Sequence, residues 1–262
     1  MGPLESDRRF YPPPSQGGLI RRLCLALASF IVALGSIVAA QAPPVPAPPQ
    51  PRFVVVLDAA HGGDDPGGKL DTQAEKAYTL SLSVKLRSLL NARGIQVVTT
   101  RESDTNVDTN RRAEIANHAN AQACLTLHAS DTGSGVHLFA SSLAPAEPTR
   151  FAAWKTAQAA FVTRSLALAG VLNSALLHAG FSVSLGRTDL PTLDSMTCPA
   201  VAVEIAPERG PGQKINATLD DPAYQASVAE ALAAALLEWR TDAWRTDAGH
   251  TTDTGHPEAT RP

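Results

Sequence analysis

The chain contains few cysteines and carries little net charge. It has 3 cysteines in 262 residues and a formal net charge of −3 at pH 7. Three cysteines are too few for a disulfide framework. None of them lies in a Cys-x-x-Cys pair, the spacing that is typical of a cysteine-ligated metal site. A slightly acidic balance provides no basic surface, so we expect no nucleic-acid partner.

The individual cysteines fall in apolar surroundings. Cys24 lies in an N-terminal apolar stretch, whereas Cys124 and Cys198 lie in or beside predicted buried strands. Packing in the core is the favoured interpretation of this pair, and a disulfide or a ligand role is the alternative. The sequence also lacks a compact zinc motif such as His-Glu-x-x-His, so any metal site must be assembled from distant residues.

Residues 1–40 have the order of a secretory signal peptide. Arg21-Arg22 precedes an apolar stretch from Leu23 to Ala40, which ends in small residues. We expect cleavage after Ala40. An uncleaved anchor is the alternative, because the stretch is at the lower edge of membrane-spanning length. The protein is therefore predicted to be exported, to the periplasm or the cell wall, and to touch a membrane only through this segment if it is not cut.

Three segments follow the predicted signal peptide. Residues 41–52 are rich in proline and predict an extended linker. Residues 53–240 alternate apolar strands with helices, which predicts a single α/β domain: a mostly parallel twisted sheet of about five or six strands, with helices on both faces. Residues 241–262 are rich in Thr, Asp and His without periodicity, and we expect a disordered tail.

Hydrophobic periodicity predicts the elements of the domain. The predicted strands are 53–60, 95–100, 121–128, 135–140 and 199–206. The predicted helices are 73–93, 107–120, 148–179 with a break near Gly170, and 222–240. The stretch 181–197 is predicted to be irregular.

Four polar residues lie where predicted strands end or a helix begins. His61, His128 and Glu204 each follow or end an apolar run, and Glu75 opens the first helix. Ligands gather at the carboxyl ends of strands in α/β sheets. Two imidazoles and a carboxylate are the usual protein ligands of an open catalytic zinc, and a further carboxylate can act as its base.

Each of these residues also has an ordinary interpretation. His61 could be a surface loop histidine, His128 a satisfied core histidine, and Glu75 an acid favoured by the helix dipole. Glu204 is harder to explain in this way, because a carboxylate inside an apolar run is costly to bury without a partner. Taken together, the four residues predict zinc-dependent hydrolysis.

The segments around these residues resemble one family. Asp58-Ala59-Ala60-His61-Gly62-Gly63, followed by Glu75-Lys76, is similar to the opening motif of the zinc-dependent N-acetylmuramoyl-L-alanine amidases, the cell-wall amidases often called amidase 3. The further segments that resemble this family, in order, are Thr100-Arg101 with Asp104, Arg112 with Ala116-Asn117, Leu127-His128-Ala129, and Pro199-Ala200-Val201 with Glu204.

The resemblance implies a site and a reaction. His61, Glu75 and His128 would bind one Zn²⁺, and Glu204 would act as the catalytic carboxylate. The substrate would be peptidoglycan, cut at the amide between N-acetylmuramic acid and L-alanine of the stem peptide, in wall remodelling or daughter-cell separation. For Arg112 itself, ordering of the local fold through hydrogen bonds is the favoured interpretation, and contact with substrate is the alternative.

The chain departs from the family pattern at two places. Ala60 replaces a usual glycine, and Ile205 to Gly210 replaces the usual segment after the catalytic carboxylate. Arg209 and Arg187 could contact a stem-peptide carboxylate, although solvated surface charges are the favoured interpretation. A zinc peptidase acting on stem peptides and a catalytically inactive wall-binding or regulatory domain are the alternative functions.

Regulation and assembly are further expectations. Some cell-wall amidases carry a helix in the region of 148–179 that blocks the zinc site until a partner removes it. That precedent makes an activator protein a conceivable partner here. The segment contains few acidic residues that could serve as ligands, so a scaffold role is favoured. We expect the protein to be a monomer.

Overall fold

The structure is a computed structural model and describes residues 52–148 and 153–250, with side chains to Asp242. The predicted signal peptide lies outside the described residues. So do residues 251–262 and all of the predicted linker except Arg52. Sequence expectations for those segments therefore remain expectations.

The element order is that of an alternating α/β domain. The strands are β1 (Val54–Ala59), β2 (Gln96–Thr99), β3 (Ala123–Ala129), β4 (Val136–Ser141), β5 (Val183–Thr188), β6 (Ala200–Ile205), β7 (Glu208–Arg209) and β8 (Ile215–Ala217). The α-helices are α1 (Glu75–Ala92), α2 (Thr109–His118), α3 (Val162–His178), α4 (Pro191–Asp194) and α5 (Pro222–His250), with 3₁₀ turns at Trp154–Ala160 and Pro211–Gln213.

Six strands form one mostly parallel sheet in the order β2-β1-β3-β6-β4-β5. The pairs β1–β2, β1–β3, β3–β6 and β4–β5 are parallel, and only β4–β6 is antiparallel. β1, β3 and β6 are almost wholly buried, as central parallel strands are when helices cover both faces. The prediction of a mostly parallel α/β domain is confirmed.

Helices cover both faces of this sheet. α5 packs against α1 and α3, and their apolar residues form the larger core with one face of the sheet. The smaller core on the other face lies beneath α2 and α4 and includes Val56, Ala116 and Met196. The residue before α2 caps the N-terminus of this helix. The Asp108 side chain accepts hydrogen bonds from the N–H groups of Asn110 and Arg111.

Four details differ from the sequence-based prediction. The stretch predicted to be irregular contains strand β5 and helix α4. The helical region between 148 and 179 breaks at Phe161, whereas Gly170 lies inside α3. The last helix continues to His250, beyond its predicted end at residue 240. Cys124 and Cys198 form a disulfide across the smaller core, which corrects the interpretation of the pair as packing alone.

Within the part of the chain that the structure describes, no single helix is long and apolar enough to cross a membrane. The 3₁₀ turn Trp154–Ala160 and α3, which meet at 66°, pass that test as a bent pair on length and composition alone.

Candidate metal centre and active site

The four predicted site residues lie at one edge of the sheet. β1, β3 and β6 run parallel as neighbours, so their carboxyl ends share an edge. His61 follows the end of β1, His128 is the penultimate residue of β3, and Glu204 is the penultimate residue of β6. Glu75 is the first residue of α1, which begins beside the same edge.

Three of these side chains converge on one point. Glu75 Oε1 lies 2.9 Å from His128 Nδ1, and Glu75 Oε2 lies 3.1 Å from His61 Nε2. One ligand atom from each residue falls within 4.8 Å of the other two. Across residues 52–148 and 153–242, this is the one group of three or more His, Cys, Asp or Glu side chains with such spacing.

The backbone holds Glu75 as a carboxylate. Its Oε2 accepts a hydrogen bond from the Gly68 N–H at 2.8 Å, and its Oε1 accepts one from the Ala129 N–H at 3.2 Å. Burial alone would raise the pKa of Glu75, but the hydrogen bonds from His128 and from these amides lower the pKa overall. The group is therefore an anion at neutral pH.

Asp65 orients the first imidazole and was not identified from the sequence. His61 Nδ1 lies 2.8 Å from Asp65 Oδ2, which leaves Nε2 directed toward Glu75. The hydrogen bond with His61 lowers the pKa of Asp65. A carboxylate on the second nitrogen of a ligand histidine fixes its tautomer and ring orientation. The signal that could have identified Asp65 in the sequence is an acidic residue four positions after His61 in a glycine-rich turn.

Glycine is required where the loop passes the cluster. Gly67 has φ +66°, and a Cβ there would lie 2.5 Å from His61 Cδ2 and 2.7 Å from Glu75 Oε2. Any side chain at this position would collide with two of the three converging residues. The glycine-rich loop thus closes over the cluster because its backbone can approach so closely.

Glu204 lies in the strand next to His128. The two residues are register partners in parallel β3 and β6, so their side chains project from the same face of the sheet. Glu204 is half-buried. Its side chain makes no hydrogen bond or ion pair with any residue that the structure describes. It is therefore placed beside the cluster and remains available to a reacting group.

A cavity of about 290 Å³ opens beside the two histidines. Its lining includes Asp58 and Thr126, which are register partners in β1 and β3. Asp58 Oδ2 and Thr126 Oγ1 are both buried and have no hydrogen-bond partner among the described residues. The walls come from residues 106–109, from Arg112 and from residues 190–192. Most of the residues that line the cavity have polar or charged side chains.

The arginines suspected of binding substrate have backbone partners instead. Arg209 donates to the carbonyls of Asp131 and Gly133. Arg187 donates to the carbonyls of Ser141 and Leu143. The two side chains tie loops together, and neither lines the cavity beside the histidines.

The fold and the site define a class of protein. Two imidazoles and a carboxylate converge at the carboxyl edge of the sheet of this α/β domain, and a second carboxylate lies in the next strand. This is the residue set of a metal-dependent hydrolase. Residues 55–238 match the family model for N-acetylmuramoyl-L-alanine amidase. This match covers more than half of the chain, which therefore belongs to that family, and the resemblance noted in the sequence is confirmed.

Individual relatives agree with the family match. The chain is 30% identical over 89 residues to the germination-specific N-acetylmuramoyl-L-alanine amidase of Bacillus subtilis, covering 29% of this chain and 38% of that protein. It is 35% identical over 96 residues to the amidase AmiA of Escherichia coli, covering 35% of this chain and 33% of that protein. The matched segments thus span only about a third of these relatives.

Solved structures share the whole domain. The catalytic domain of CwlV, an N-acetylmuramoyl-L-alanine amidase from Bacillus (Paenibacillus) polymyxa var. colistinus, aligns with a TM-score of 0.56 at 25% identity. The alignment covers 72% of this chain and 98% of that structure. The described domain thus corresponds to a complete amidase catalytic domain in fold.

Proposed function

We propose that this protein hydrolyses the amide between N-acetylmuramic acid and L-alanine of the peptidoglycan stem peptide. One Zn²⁺ would be bound by His61, Glu75 and His128, and Glu204 would be the general base. The observation that carries the proposal is the convergence of three ligand atoms within 4.8 Å, with Glu204 in the adjacent strand. The family membership supports the substrate class.

The three residues present fit a zinc ion. Zinc prefers nitrogen and carboxylate oxygen donors and keeps an open position in catalytic sites. Both imidazoles direct one nitrogen at the Glu75 carboxylate, and Asp65 occupies the remaining nitrogen of His61. The two histidine side chains are partly exposed, at 23% and 22%, so a ligand can reach the cluster from solvent.

Glu204 carries the proton transfers in this proposal. Its carboxylate would accept a proton from the attacking water and then donate that proton to the leaving nitrogen of L-alanine. When bound, the zinc would supply a lowered pKa for that water and polarise the scissile carbonyl. The cavity beside His61 and His128 would receive the part of the substrate next to the cleaved bond.

The disulfide supports an exported protein. Cys124 and Cys198 are separated by 74 residues in the sequence and are joined across the smaller core. Stable disulfides of this kind form in oxidising compartments such as the periplasm and the cell exterior. Together with the signal-like N-terminal segment, the bond supports a location in the periplasm or at the cell wall.

The region that could block the site is proposed to be scaffold. α3 buries Leu168, Leu172 and Leu176 in the larger core with the sheet, and the preceding 3₁₀ turn buries Gln158. Gln158 donates to the carbonyls of Met196 and Cys198. Among the described residues of this region, none lines the cavity beside His61 and His128. An activator protein and a monomeric state stay predictions.

Digestion of purified peptidoglycan tests the proposed function. The protein would be incubated with zinc or with chelator, alongside Glu204→Ala, and the products identified by mass spectrometry. We expect free stem peptides that begin at L-alanine, lost with chelator and with the substitution. Cuts within the stem peptide would indicate a peptidase. Absence of products despite one bound zinc per chain would indicate an inactive wall-binding or regulatory domain.

A further inference from the structure

Glu204 has a histidine on each side in the sheet. His128 is its register partner in parallel β3, and His137 is its register partner in antiparallel β4. Residues directly opposite each other on neighbouring strands project from the same face, with Cβ atoms about 4.5–5.5 Å apart in antiparallel pairs. His128, Glu204 and His137 therefore form one row across three strands. His128 belongs to the proposed metal site with His61 and Glu75, whereas that site gives no role to His137.

His137 has a buried ring nitrogen that lacks a partner. Its Nε2 is inaccessible to solvent and makes no hydrogen bond with any residue that the structure describes. Leaving such a group unpaired is unfavourable, and buried polar groups in proteins are nearly always hydrogen-bonded. The ring also stacks near Phe139, with ring centroids 6.5 Å apart, and this contact provides no acceptor.

The loop after β3 covers the His137 ring. Gly133 has φ +83°, and a Cβ there would lie 2.8 Å from His137 Nε2. Arg209 stabilises this loop by donating hydrogen bonds to the backbone carbonyls of Asp131 and Gly133. The ring is therefore confined between the loop and the sheet. Its register partner Glu204 lies on the same face of the adjacent strand.

Glu204 has the complementary property. Its carboxylate accepts no hydrogen bond from any described residue, and its side chain has enough rotatable bonds to lean toward either neighbour. Rotation of the Glu204 side chain toward β4 would bring its carboxylate, which has no donor, to the His137 ring, whose buried Nε2 has no partner among the described residues.

We propose that His137 is a positioning residue that donates a hydrogen bond from its ring N–H to the Glu204 carboxylate and so orients it toward the metal cluster. The role of this contact in catalysis rests on the proposed amidase function. The contact itself does not, because both side chains belong to the protein and no substrate is needed for them to meet.

Kinetics on a soluble muramoyl peptide test the catalytic part of this proposal. We expect His137→Leu to lower kcat about 10-fold to 100-fold, as loss of an orienting partner does, with KM and bound zinc unchanged. His137→Gln, which keeps a donor, should recover part of the loss. The exposed His118, bonded to the Glu114 carbonyl in α2, supplies the control His118→Gln, which should keep wild-type kcat.

A double substitution separates positioning from general structural damage. If His137 acts through Glu204, adding His137→Leu to Glu204→Gln should lower kcat no further. Independent losses that multiply would overturn the proposal, as would wild-type kcat in a folded His137→Leu protein.

An NMR measurement tests the contact without any activity. The ring N–H proton of His137, assigned by its disappearance in His137→Gln, should be downfield and protected from exchange in the purified protein. It should lose both properties in Glu204→Ala and keep them in Glu238→Ala, a change at an exposed position of α5. An unchanged signal in Glu204→Ala would overturn the contact even if the protein proved not to be an amidase.

Discussion

Arg112 of helix α2 donates a hydrogen bond to the backbone carbonyl of His61 at 2.6 Å. The same guanidinium donates to Asp58 Oδ1 at 2.7 Å and to the Ala59 carbonyl at 2.6 Å. His61 has φ 62°, an unusual backbone conformation for a residue other than glycine. Arg112 therefore locks the turn that presents His61, which confirms its interpretation as a residue that orders the local fold.

Removal of Arg112 should be strongly destabilising. Asp58 is only 1% exposed, so Arg112→Met would leave a buried carboxylate without its counter-charge. Breaking a buried pair in this way costs about 3–5 kcal/mol. Urea denaturation of the purified protein measures the loss. Arg111→Met, which removes an exposed pair with Glu114, should cost about 1 kcal/mol or less, and equal losses would contradict the account.

Gly67→Ala should weaken metal binding more than it weakens the fold. The added Cβ would collide with His61 and Glu75 at a backbone angle that disfavours alanine. Calorimetric titration with zinc should therefore show a loss of affinity. Gly170→Ala is the control, because its Cβ would meet nothing within 4 Å inside α3. That change should keep the affinity and add about 0.5–1 kcal/mol of stability. Equal zinc affinity in the two variants would contradict the role of Gly67.

The disulfide should contribute measurably to stability. Replacing both Cys124 and Cys198 by alanine should lower the free energy of unfolding by about 2–4 kcal/mol, since the bond closes a long loop. Thermal denaturation in the oxidised state measures the effect. As a control, reductant should lower the Tm of the wild-type protein and leave that of the double variant unchanged. Thiol titration under denaturing conditions should show two more thiols after reduction than before, and an equal count would refute the bond.

Asp194 should make stability depend on pH. Burial raises its pKa above the ordinary value of 3.8, the hydrogen bond from Ser141 Oγ at 2.5 Å opposes that rise, and the charge of Asp189 adds to it. The unfolded chain therefore loses this proton at a lower pH than the folded protein. Stability is lost as pH rises from 3.8 through the raised pKa. We expect the Tm of Asp194→Asn, relative to wild type, to be higher at pH 7 than at pH 3.5; a constant difference would contradict this.

Much of the fold and the cluster could be predicted from the sequence. Strands β1, β3 and β6 are near-continuous apolar runs because both faces are buried, and their ends indicate the site. Strand β5 could not be recognised in this way. It is an edge strand that is mostly exposed, with Leu185 58% exposed, so its composition carries no burial signal.

Contacts set by strand register were the hardest to predict. Cys124 and Cys198 meet because β3 and β6 are neighbours, a fact of sheet order that spacing along the chain does not contain. His137 faces Glu204 for the same reason, through the antiparallel pairing of β4. The sequence-based prediction places the helix break near Gly170, whereas the break lies at Phe161. A glycine inside a helix lowers the helix propensity of the segment without ending the helix.

The most direct test of the account measures hydrolysis of a soluble muramoyl peptide by the zinc-loaded protein and by Glu204→Gln. Glu204→Gln preserves the shape of the side chain and none of the proposed metal ligands changes. We expect one zinc per chain in both proteins and a rate about 100-fold to 10,000-fold lower in the variant, the usual contribution of a general base. A variant that keeps the wild-type rate, with equal zinc content, would contradict the assignment of Glu204 and the site built around it.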